Sequence, residues 1–253
     1  MMNTKNLRHS RQFTVFELLV VVSVTMLLFA IIMPAFRAVM QRVETAACGS
    51  NLRQLSIGVN LFADDNRGDY PDPWRWVWSD GSKGSVWDWV EWAEPDTVPR
   101  GTLFPYISDV RVYLCPVFKR VACIPPQFSH LTPYVGYSLN EYMQSPGVRS
   151  TWAGRPKVNR TMLINTPMDE FGLLADEGTV VIKEFFTYPI NNLCIGVGGY
   201  KPRGKCDGIA AFHNAPYDSP TTGKANVAFA DGHVSLVGPA SLYEVLTPAF
   251  YKK

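Results

Sequence analysis

The sequence predicts an α+β fold, a long N-terminal α-helix packed against an antiparallel β-sheet head with long loops, on three observations. Residues 13–36 form an apolar stretch whose only formal charge is Glu17. Beyond it, Phe36, Val39, Val43, Ala47, Cys48, Leu52, Leu55, Val59 and Phe62 recur at three- and four-residue steps, which is helical spacing. The rest breaks into short apolar runs divided by 19 glycines and 19 prolines across the chain, and near its end Asp231-Gly232 lies between two such runs as a hairpin signal.

Residues 18–36 are nineteen consecutive uncharged positions. At about 1.5 Å of rise per residue, that length is close to what a helix needs to cross a hydrocarbon core of about 30 Å. Lys5, Arg8 and Arg11 precede it with no acidic residue, which places this end in the cytoplasm and the C-terminal bulk across the membrane. Glu17 is costly in such a segment and asks for a partner, or else reaches the headgroups from the first turn, where a negative charge also complements the helix dipole. Pro34 is expected to kink the helix, since a mid-helix proline removes a backbone hydrogen bond. The turn formers in residues 64–71 end it. A continuous helix from Phe13 to Ala63 would be roughly 75 Å long.

Residues 13–21, Phe-Thr-Val-Phe-Glu-Leu-Leu-Val-Val, resemble the N-terminal signature of type IV prepilins, shared by pilins and by the pseudopilins of type II secretion systems. The resemblance implies a basic leader, residues 1–12, removed between Gln12 and Phe13 by a prepilin peptidase that also N-methylates Phe13. It also implies that Glu17 assists assembly by meeting the N-terminal amine of a neighbouring subunit. Where the family usually has glycine before the cut, this chain has Gln12; Glu17 and the apolar helix keep the assembly pattern. Pro34 stands where many pilins carry a kinking proline. Asn51-Leu52-Arg53-Gln54-Leu55, residues 62–66, a Gly-to-Cys-Pro block at 101–116 and the Asp-Gly-His-Val ending within 225–234 resemble a large pseudopilin-like group found in bacteria with expanded sets of such proteins. The implied partners are the peptidase/N-methyltransferase, other pilin-like subunits and the inner-membrane secretion machinery. The implied location is the inner membrane, single-pass, with the head in the periplasm and, after processing, in a pseudopilus or at the cell surface.

The expected organisation is thus a leader (1–12), a membrane helix (13–36), its amphipathic continuation (37–63) and a head (64–253) with a tryptophan-rich insertion at 74–92. The net charge is +2, and the leader supplies three positive charges, leaving −1 for the remainder. A near-neutral exported part argues against nucleic acid as a partner. Six of the seven tryptophans, Trp74, Trp76, Trp78, Trp87, Trp89 and Trp92, lie in the insertion at strand-like alternation. Two readings follow: the rings cover an edge of the core, or they form an exposed platform that stacks on polysaccharide or on another subunit.

In the head, residues 134–139, 161–164, 180–186, 209–212, 225–230 and 233–237 read as strands. His213, Asp231 and His233 could bind metal, but hairpin turn chemistry already accounts for Asp231-Gly232 and leaves His233 as a strand residue. Asp64, Asp65 and Asp69 read as a solvated helix end, since no bidentate Glu follows at EF-hand spacing. No cofactor is expected, a structural calcium ion being the one exception left open. Of the five cysteines, Cys115 with Cys123 and Cys194 with Cys206 are nearest in sequence, leaving Cys48 on the helix. Four head cysteines allow three connectivities, and the other reading is that all five are reduced and buried.

No GxSxG, HExxH, GxxxxGK[ST] or GxGxxG motif is present, and the glycine-rich residues 196–199 do not open a helix. The expected function is therefore structural and not enzymatic: a pilin-like or pseudopilin subunit that assembles through its N-terminal helix. The alternative is a membrane-anchored surface module that binds polysaccharide or a partner protein through the tryptophan region.

Overall fold

The computed structural model describes residues 14–73, 75–77, 98–121, 135–140, 143, 158–165, 168–176, 194–195, 212–215, 223–238, 241 and 244–245. Its layout is α+β, with one long N-terminal apolar helix and a sheet in which four strands run antiparallel. The chain divides into two compact units, with the boundary between Arg42 and Val43.

Helix α1 spans Val15–Asp65 and contains Pro34. Thr14 opens it with a capping box. Thr14 N–H donates to the Glu17 carboxylate at 2.9 Å, and Glu17 N–H donates back to Thr14 Oγ1 at 3.2 Å, so two donors left unpaired by the helix start are satisfied. Within the first unit every described side chain from Thr14 to Met40 is exposed, although nearly all are apolar. This part of α1 is long and apolar enough to cross a membrane. Its few polar side chains turn back on the helix: Ser23 Oγ donates to Leu19 O at 2.7 Å and Thr25 Oγ1 to Val21 O at 3.0 Å, which lowers the cost of placing them in lipid.

In the second unit the same helix becomes a core element. Thr45, Cys48, Leu52, Leu55, Val59 and Ala63 follow at helical steps and are buried. Leu52, Leu55 and Val59 are fully enclosed, each contributing about 1.5–3 kcal/mol of burial. The buried stripe starts later than the sequence periodicity suggests: Phe36, Val39, Val43 and Ala47 are exposed. The helix ends where Arg67 and Gly68 adopt left-handed backbone, with φ of 59° and 86°, and Gly68 N–H closes on Ala63 O at 2.7 Å. The acidic residues at this end have protein partners. Arg160 pairs with Asp64, Tyr106 donates to Asp65 and Asn159 to Asp69.

The sheet has the order β3-β1-β2-β4-β5, with β1 Tyr137–Asn140, β2 Gly172–Asp176, β3 Cys194–Ile195, β4 Ala225–Phe229 and β5 Val234–Val237. β3 pairs with β1 in parallel. β1, β2 and β4 are buried at every position, so they lie covered on both faces and lack the alternation of a half-exposed strand. The β4–β5 hairpin forms where Asp231-Gly232 predicts it, with Gly232 at φ +92°. Residues 161–164, expected as a strand, belong instead to the 3-10 helix Arg160–Asn165, started by Asn159 Oδ1 accepting from Met162 N–H. The expected strand at 180–186 lies outside the described residues, as does 209–211 of the run ending at Phe212.

A close backbone crossing fixes one corner of the core. Thr102 N–H donates to Arg75 O and Leu103 N–H to Trp76 O, at 3.0 and 3.1 Å, and a Cβ on Gly101 would stand 2.1 Å from Trp76 O and 2.4 Å from Val77 Cα. Backbone cannot rotate out of the way as a side chain can. Gly101→Ala is therefore expected to destabilise the protein by about 1–3 kcal/mol or more in denaturant melts of the detergent-solubilised chain. An unchanged midpoint would show that this crossing gives way freely.

Candidate functional site

Four polar side chains meet inside the second unit: Cys48 from α1, Cys115 from the turn before helix α2 (Pro116–Val121), Asp176 at the end of β2 and His213 from the segment that bridges to Lys224 ahead of β4. All four are buried, and one ligating atom from each lies within 4.8 Å of the others.

Each is positioned by local structure. Cys48 falls on the buried stripe of α1. Cys115 precedes Pro116, which starts a helix readily because its missing N–H would be unpaired there anyway. The Cys115 turn packs on residue 136, where a Cβ would lie 3.0 Å from Cys115 N and from Phe118 Cδ1; glycine at that position lets the turn reach β1. Asp176 stands opposite Tyr137 in the β1–β2 register. His213 exchanges two backbone hydrogen bonds with Lys224, at 3.0 and 2.8 Å, and Asn214 at φ 56° then turns the chain away.

The Asp176 carboxylate is the hub. Its Oδ1 accepts from Cys48 Sγ–H at 2.7 Å, and its Oδ2 accepts from Asn226 N–H at 2.6 Å and lies 3.0 Å from His213 Nε2. The same His213 nitrogen lies 3.6 Å from Cys115 Sγ. The other ring nitrogen, Nδ1, is 3.2 Å from Thr45 Oγ1 on α1, and Tyr137 Oη donates to Cys48 Sγ at 3.4 Å. Burial works against a charge on His213, but its hydrogen bonds to Asp176 and Cys115 outweigh it and raise its pKa to about 9. Burial pushes the Cys48 thiol well up, reinforced by its contacts with Cys115 and Asp176. Cys115 is also buried, yet the hydrogen bonds from Cys48 and His213 bring its pKa down. The group thus contains two thiols, an imidazole and a carboxylate, enclosed away from water. Sulfur and imidazole donors with one carboxylate suit a transition metal, and the paired thiols suit redox chemistry.

The sequence pointed to His213 but grouped it differently. Asp231 and His233 pair with each other in the β4–β5 turn, where Asp231 Oδ1 accepts from His233 N–H at 3.0 Å and lies 2.6 Å from His233 Nδ1. The His233 ring stacks on Phe229 at 4.2 Å. These contacts, with both side chains 37% exposed, make the pair a turn element, while His213 belongs to the buried group. Cys48, Cys115 and Asp176 were not expected as partners. They come from sites remote in sequence, and no short spacing connects them. Cys115 is a free thiol and not bridged to Cys123; Cys123 itself, Cys206 and the Cys194 side chain lie outside the described residues.

Of the tryptophans, Trp76 is described, and it is fully buried and stacked on Tyr113 with ring centroids 5.8 Å apart. A ring enclosed in this way cannot stack on a sugar, so for Trp76 the binding platform is replaced by a core role. Trp74, Trp78, Trp87, Trp89 and Trp92 lie outside the described residues, as do Gln12 and Phe13. Glu17 and Pro34 both lie in α1.

Searches for similarity found no matching protein-family model, no matching curated protein and no matching solved structure.

Trp76→Ala is expected to cost about 3–5 kcal/mol in equilibrium unfolding, as for other large buried aromatics. A variant that keeps its stability and loses only polysaccharide retention would restore the platform reading for this ring.

Proposed function

We propose that this protein is a pilin-like structural subunit, held in the inner membrane by the first half of α1 with its head in the periplasm, that assembles through that helix into a type II secretion-like pseudopilus or type IV pilus-like filament. The observation that carries the reading is the long apolar helix with a carboxylate in its first turn, together with its resemblance to the prepilin signature. A helix that is apolar on all sides suits lipid and, equally, the interior of a bundle of identical helices. Its partners are a prepilin peptidase, other pilin-like subunits and the inner-membrane secretion machinery.

The capping box makes a sharp test possible. Within one chain the Glu17 carboxylate already accepts from both Thr14 N–H and Thr14 Oγ1, at 2.9 Å each. Glutamine keeps the acceptor that the cap needs but loses the charge that a neighbouring Phe13 amine would meet. Glu17→Ala removes both, with about 0.5–2 kcal/mol lost at the helix start, by analogy with other lost caps. The expected outcome is that Glu17→Gln inserts normally and keeps its helix content yet disappears from the sheared filament fraction. The wild-type chain recovered from that fraction is expected to begin at methylated Phe13 by N-terminal sequencing and intact mass. Normal assembly of Glu17→Gln would remove the charge pairing, and a chain that retains residues 1–12 would remove the processing step.

A further inference from the structure

We infer that Cys48, Cys115, Asp176 and His213 form a closed, four-coordinate structural zinc site that ties α1 to the sheet within the second unit. The site would form whether or not the protein assembles.

The donor set matches the ion. Structural zinc is bound by four ligands, tetrahedrally, through thiolate, imidazole nitrogen and carboxylate oxygen. With bonds of about 2.0–2.3 Å, the ligating atoms of such a site stand about 3.3–3.8 Å apart. Here they lie within 4.8 Å of one another, with Cys115 Sγ to His213 Nε2 at 3.6 Å and His213 Nε2 to Asp176 Oδ2 at 3.0 Å. Cys48 Sγ and Asp176 Oδ1, at 2.7 Å, share a proton and would separate as an ion takes its place. The ligands come from four different elements, so the ion would cross-link parts of the chain that no short loop joins.

The outer contacts suit the same assignment. A metal-bound imidazole usually has its other ring nitrogen held by a hydrogen bond, and Thr45 Oγ1 is in place at Nδ1, leaving Nε2 toward the other three donors. Asn226 N–H fixes Asp176, and Tyr137 Oη reaches Cys48. Zinc with two thiolates, one carboxylate and a neutral imidazole carries a net charge of −1, and binding releases whatever protons those donors hold. All four residues are enclosed, which leaves no open position for water and makes the site structural.

The test uses the full chain, purified in detergent with a tag free of histidine. Elemental analysis is expected to find a single equivalent of zinc. Exchange for Co2+ should yield the thiolate-to-metal charge-transfer absorption and the intense visible bands of a tetrahedral site with sulfur ligands. Cys115→Ser and His213→Ala should lose the ion. Thr45→Val leaves every ligand in place and should weaken zinc binding by about ten- to a hundred-fold in chelator competition. If a ligand variant fails to fold, the wild-type cobalt spectrum still decides. The inference is overturned by reduced wild-type protein that takes up neither Zn2+ nor Co2+, by an ion that both ligand variants retain, or by a Cys48–Cys115 disulfide in the native protein, seen as a loss of two hydrogens in the intact mass.

Discussion

The carboxylate of Asp176 is the constraint around which the second unit is arranged. A carboxylate with no exposure to water costs several kcal/mol unless donors or positive charge surround it. Here the surroundings come from three directions: the thiol of Cys48 on α1, the backbone N–H of Asn226 on β4 and the imidazole of His213. None of these can be displaced without stranding a buried charge. The register of α1 against the sheet is thereby specified more tightly than by apolar packing alone, since Leu52, Leu55 and Val59 could slide in ways that a charge and its donors could not.

That requirement explains why Asn226, a polar residue, occupies a buried strand position. Its N–H serves Asp176 on β2, and its side-chain amide lies 3.5 Å from Thr45 O on α1, so it joins β4 to both. Thr45 in turn meets the Nδ1 side of His213. Thr45, Cys48, Cys115, Tyr137, Asp176, His213 and Asn226 form one connected network, each with a partner within it.

The sequence made some of this legible, for physical reasons that differ from element to element. The apolar stretch, its continuation as a helix and the Asp231-Gly232 hairpin all depend on local rules, and the structure has them at the expected places. β2 was not legible. Its residues, Gly-Leu-Leu-Ala-Asp, are buried on both faces and show no alternation, and they end on an aspartate that reads as a turn residue until its buried partners are known. The early part of the helical periodicity misled for the opposite reason. Phe36, Val39 and Val43 keep the helical spacing but lie where no protein covers them, since apolar spacing cannot distinguish a protein interior from lipid or from another helix. The buried four-residue group was hidden because its members are joined only by the tertiary fold; His213 could be noted as a metal-binding type, but nothing nearby in sequence named its partners.

One helix thus serves two solvents. From Thr14 to Met40 its apolar side chains stand exposed, whereas from Thr45 onward its buried stripe is part of a protein core. Within the second unit, the first residues that hold the helix to the core are Thr45 and Cys48, at the upstream end of the buried stripe. Apolar contacts there would be weak points, because a force along the helix axis shears them one after another with little cost per ångström. A thiol bound to a buried carboxylate, or a thiolate bound to an ion shared with three other elements, resists such sliding until a strong polar bond is broken. The polar group sits where the helix enters the core of the second unit, so the end of the buried stripe is held by directional bonds as well as by packing.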